Sequence, residues 1–95
     1  MKLSRNGHYY EVINKADTSG LCLHYYTNDN ESFESVVNAI KRAEELAEER
    51  GYPQKTEWLI VCVEWKKTFM DGMFFEETKT RRAVATYFDG IVEDL

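Results

Sequence analysis

Apolar positions along this chain follow two periods, and the switches between them mark the elements. His8 to Asn14 (HYYEVIN) is rich in aromatic and β-branched residues, the composition of a strand. Asn14 to Gly20 is turn chemistry, small polar side chains ending in a glycine free to take a positive φ. Leu21 to Thr27 then alternates Leu21, Leu23 and Tyr25 against Cys22, His24 and Tyr26, so the two runs predict a first β-hairpin. The tripeptide His-Tyr-Tyr occurs at 8–10 and 24–26, too short a match to define an internal repeat.

The period then becomes helical. Phe33, Val36, Val37, Ile40, Ala43 and Ala47 recur at helical spacing with Leu46 beside them, one apolar stripe of an amphipathic helix over about residues 31 to 50. Asn30 or Ser32 can cap its free N–H groups, Glu31 and Glu34 suit the positive end of its dipole, and Gly51 and Pro53 stop it. Thr56 to Met70 reads as a long strand, and Asp71-Gly72 as the two-residue turn of a second hairpin. Continuing the register of that turn sets Lys67 opposite Glu76, Lys66 opposite Glu77 and Glu64 opposite Lys79, pairs worth ~0.2–1 kcal/mol each. The same register sets Arg82 opposite Val61, on what is taken as the core face with Leu59, Val63 and Trp65. After Thr80 two readings stand. The strand continues through Val84-Ala85-Thr86-Tyr87-Phe88, or a short C-terminal helix carries Val84, Tyr87, Phe88, Ile91, Val92 and Leu95.

Residues 1–95 therefore predict a single small α+β domain of order ββαββ, an antiparallel sheet with one amphipathic helix packed on one face. The chain has no low-complexity stretch, no Pro/Ser linker and one proline, consistent with one domain. Hydrophobic residues make up 43% and charged residues 31%, a globular rather than a disordered composition. The longest apolar run, Trp58 to Val63, is far short of the ~20 residues of a membrane helix, and Met1 to His8 lacks a signal-peptide core. A cytoplasmic protein without membrane contact is expected, with Cys22 and Cys62 as reduced thiols.

Candidate chemistry is sparse. His8, His24, Cys22 and Cys62 show no CxxC, HxxxH or HExxH spacing, and the glycines are scattered singly, so no metal, cofactor or catalytic constellation is expected and the protein is read as a non-enzyme. The net charge of −5 argues against a general nucleic-acid binder. An alternative reading nonetheless places single-stranded bases on an aromatic and basic sheet face through Tyr9, Tyr25, Trp65 and Arg81 or Arg82, near Lys66, Lys67 and Lys79. Glu44, Glu45, Glu48 and Glu49 form an acidic cluster at the helix end, either a solvated face or a contact patch for a basic surface.

The most informative stretch is Phe69-Met70-Asp71-Gly72-Met73-Phe74-Phe75. A 20-residue helix is ~30 Å long, whereas a strand from Thr56 to Met70 spans ~45–50 Å, so the hairpin should outrun the helix. Phe69, Met70, Met73, Phe74 and Phe75 would then stand uncovered, an anchor for another protein or for a second copy in a homodimer. In size, acidity and lack of catalytic residues the chain is similar in type to the small proteins by which phages and mobile elements block host machinery in the host cytoplasm, anti-CRISPR proteins among them. That likeness implies an inhibitor acting by protein–protein contact and assigns no role to any residue.

Overall fold

The hydroxyl of Ser32, in extended backbone, accepts the amide of Ser35 at 3.1 Å and so starts helix α1 (Phe33–Glu49) with the first residue of its apolar stripe, two residues after the expected start near residue 31. Gly51, at φ 83°, follows its last turn in the left-handed conformation that a glycine adopts without strain. The computed structural model describes residues 2–15, 24–51 and 56–95. Besides α1 it contains β1 (Lys2–Asn14), β2 (His24–Tyr26), β3 (Trp58–Met70), β4 (Met73–Phe88) and β5 (Ile91–Asp94). The strands form one antiparallel sheet in the order β2-β1-β3-β4-β5. The expected turn over 14–20, strand residues 21–23 and Pro53 lie wholly or largely outside the described residues.

The order is thus ββαβββ rather than ββαββ, and no C-terminal helix forms. Strand β4 runs unbroken to Phe88, and Asp89-Gly90 reverses the chain into β5. Both turns, Asp71-Gly72 and Asp89-Gly90, hold positive φ at both positions (53° and 79°, 48° and 82°), as the type I′ hairpin demands. Strand β1 begins six residues earlier than expected and pairs with the whole of β3, from Asn14 opposite Trp58 to Lys2 opposite Met70.

One face of the sheet receives α1. Val36 and Ile40 of the helix pack with Val12, Trp58, Ile60, Ala85 and Tyr87 of the sheet, all buried. The core face of β3 is therefore that of Trp58 and Ile60, not that of Leu59, Val61 and Val63 as expected. Burying Ile40 and Ile60 completely contributes ~1.5–3 kcal/mol each.

The β3–β4 register also departs from the expected one. Met70 faces Met73 and Phe69 faces Phe74, but Phe75 is then an extra residue, so Glu76 faces Thr68 and Lys67 faces Glu77. A second irregularity leaves Val84 between Ala83, opposite Val61, and Ala85, opposite Ile60. Because side chains alternate along a strand, these two bulges exchange the faces of everything between them. Glu77, Lys79 and Arg81 move to the face away from the helix, where Arg81 meets the carboxylate of Glu11 and Glu77 sits 3.3 Å from Lys79 and 4.0 Å from Lys67. Arg82 leaves Val61 for a place opposite Cys62, exposed beyond the start of the helix. The three anticipated charge pairs are replaced by this network.

Candidate functional site

Sequence length converts directly into shape. Seventeen residues of helix span ~25 Å and sixteen of strand ~50 Å, and the molecule measures 56 × 26 × 20 Å. The distal parts of β1, β3 and β4 form a three-stranded arm beyond the helix rather than a two-stranded ribbon. At its tip Met73 is 73% exposed, Phe75 61% and Phe74 58%; Met70 is also exposed and Phe69 half-buried. Leu3, opposite Phe69 on β1, joins them at 53%. The register sorts the group by face. Leu3, Phe69 and Phe74 stand side by side across three strands away from the helix, with the Phe69 and Phe74 rings edge to face at 6.1 Å. Met70 and Met73 share the other face, and Phe75 is the bulged residue between them and the charged segment. Leu3 was not anticipated, because a lone leucine among polar residues carries no pattern until β1 is known to reach the tip.

Between tip and body the outer face is already occupied by its own side chains. Glu11 is opposite Val61 and Arg81 opposite Val63, so their ion pair crosses β3 between two buried valines. Trp65 lies over Gly7 and donates its indole N–H to Asp29 at 3.2 Å, with the Lys67 ammonium 5.0 Å above its ring. Tyr9 packs edge to face on Tyr26, with Lys79 5.9 Å from its ring. The Glu77 carboxylate pushes the Lys79 pKa up. The residues of the base-stacking alternative share a surface only in part. Tyr9, Trp65 and Arg81 lie on this outer face, whereas Tyr25 and Arg82 lie on the helix side.

Charge is unevenly divided. Residues 2–8 and 64–82, which make up the arm, carry seven Lys/Arg and four Asp/Glu, a net +3 within a chain of −5, so the remainder carries −8. Among the described residues, Arg5, Lys66, Glu76 and Arg82 have no ion-pair partner. The acidic cluster is partly spoken for: Glu44 accepts the Trp58 indole N–H at 3.1 Å and Glu45 pairs with Arg42 at 3.2 Å, while Glu48 and Glu49 are exposed.

On the helix side, an open groove of about 900 Å³ lies beyond the start of α1, lined by Tyr10, Phe33, Cys62, Glu64, Lys66 and Arg82 among others. The His8 imidazole Nε2 lies 3.0 Å from the Glu31 carbonyl oxygen. Burial, with Glu64 adding and Arg82 opposing, pushes the Cys62 thiol up, away from the thiolate a nucleophile needs. Among the described residues no three His, Cys, Asp or Glu side chains converge as a metal site, and no helix is long and apolar enough to cross a membrane. Comparison with protein-family models, curated proteins and solved structures gives no match to this chain.

Proposed function

We propose that this protein is a small protein-binding module that acts by contact rather than by catalysis, with Phe69, Met70, Met73, Phe74 and Phe75 as the anchor. The observation that supports this most is the exposure of large apolar side chains at the end of an arm that the helix does not reach. Methionine and phenylalanine suit such a role, since flexible thioethers and flat rings fill pockets on a partner once water is excluded. The small size, acid excess and spare chemistry favour a target that is blocked by occupancy, such as a host protein machine. Glu48 and Glu49 offer a second, acidic contact. Affinity capture from a cell lysate with the wild type and with Met70→Ser/Phe75→Ser side by side tests the reading. Proteins retained by the wild type alone are expected; identical captures would refute it.

The net charge of the arm favours one alternative, a nucleic acid held on the helix side of the arm by Lys66 and Arg82. Such binding must weaken steeply with salt, so a salt-titrated gel shift separates it from an apolar protein contact.

A further inference from the structure

The outer edge of β4 is open along most of its length. Strand β5 pairs with Ala85 to Phe88, and Leu95 donates its amide to the Val84 carbonyl at 3.1 Å. From Met73 to Ala83, β4 has β3 on one side and no strand on the other among the described residues. An antiparallel edge of this length presents a row of unpaired N–H and C=O groups that can template another strand.

The sequence of that edge is Glu76-Glu77-Thr78-Lys79-Thr80-Arg81-Arg82. Reversed against itself about Lys79, it pairs Glu76 with Arg82, Glu77 with Arg81 and Thr78 with Thr80. Opposite-charge and Thr–Thr neighbours are the favoured cross-strand pairs, and the two-fold symmetry supplies each of them twice. We infer that β4 is a homodimer edge, joining a second copy of this chain antiparallel over residues 76–82 so that the two sheets become one. This goes beyond the protein-binding reading of the tip and does not depend on it.

Three features support that occupant over any other strand. Glu76 and Arg82 are exposed and lack an ion-pair partner among the described residues, so both are available to the second copy. The bulges at Phe75 and Val84 flank the segment, and β5 occupies the edge beyond it, which limits pairing to this run and disfavours a slipped register. Charges on an edge ordinarily repel strands, and here their order admits a reversed copy of the same sequence while opposing others. The like pair at the axis, Lys79 on Lys79, is eased because each ammonium is held 3.3 Å from Glu77 of its own chain. Continued in this register, Phe74 and Met73 come level with Val84 and Ala85 of the second copy, whose edge β5 covers, so the paired form requires the arm to bend away at the Phe75 bulge.

Charge reversal tests the pairing. Sedimentation of the full chain should give a mass near twice 11.2 kDa. Glu76→Arg sets Arg against Arg82, and Arg82→Glu sets Glu against Glu76. Each should weaken the dimer at least tenfold while leaving the circular dichroism spectrum unchanged. The double variant, and an equimolar mixture of the two single variants, should recover it. A wild type that stays monomeric at 0.5 mM, single variants as dimeric as the wild type, or a double variant that fails to recover would each overturn the proposal. A dimer lost in Met70→Ser/Phe75→Ser but kept in the charge reversals would assign self-association to the tip instead.

Discussion

Gly7 shows how a single missing side chain organises the outer face. A Cβ built on it would lie 2.5 Å from Cζ2 of Trp65, so the indole can cross β1 and reach Asp29 only because residue 7 is glycine. Gly7→Ala should therefore cost ~1–3 kcal/mol through the displaced ring. Urea unfolding followed by tryptophan fluorescence checks this, and an unchanged midpoint would contradict it. The same glycine hid the start of β1. Lys2-Leu3-Ser4-Arg5-Asn6-Gly7 contains no β-branched or aromatic residue, and it becomes a strand only because β3 offers it a partner along its whole length. Ionisation gives a second test at this scale. Burial raises the pKa of Tyr10, Tyr25 and Cys62, so the fold favours their neutral forms. Their contribution is complete below the ordinary values of about 8.5 for Cys and 10 for Tyr, and it is lost as pH rises through the higher folded values. Unfolding free energy should fall from about pH 9 upward, and Cys62→Ala should delay the onset; a level profile to pH 11 would count against this packing.

At the scale of elements, legibility followed the locality of the signal. Helix α1 was readable because its stripe, cap and stop are all contained in its own residues, and Ile40→Ala should cost ~2–5 kcal/mol by leaving a cavity against Val12 and Ile60. The Asp71-Gly72 turn was readable for the same reason. Asp89-Gly90 is the same chemistry, yet helical spacing across Val84 to Leu95 competed with it, and only pairing with β4 decides between them. Gly90→Ala, at φ 82°, should cost ~1–2 kcal/mol, with the faster amide exchange confined to residues 91–95. Exchange accelerating equally in β3 would show that β5 is integral to the core. The bulges at Phe75 and Val84 were not legible at all. A bulge is a compromise between two strands, here one that gives Arg81 the carboxylate of Glu11 while keeping Ala85 and Tyr87 against the helix, and none of those partners is near in sequence.

Across the whole molecule, the candidate anchor could be read from the sequence because it depends on length and on a local turn. The register holds from Asp71-Gly72 back to Phe69 and Phe74, short of the first bulge, and the arm outruns the helix whichever way the bulges fall. The division of charge between arm and body was less accessible, since a net of −5 conceals a positive arm on an acidic body. That asymmetry would steer the arm, rather than the body, toward an acidic partner. The apolar tip, as proposed, serves contact and does not hold the fold together. Urea unfolding of Met70→Ser/Phe75→Ser beside the wild type tests it most directly. Free energies within about 0.5 kcal/mol of each other are expected, as for exposed positions. A loss of about 2 kcal/mol or more would place those side chains in the core and remove the basis for the anchor.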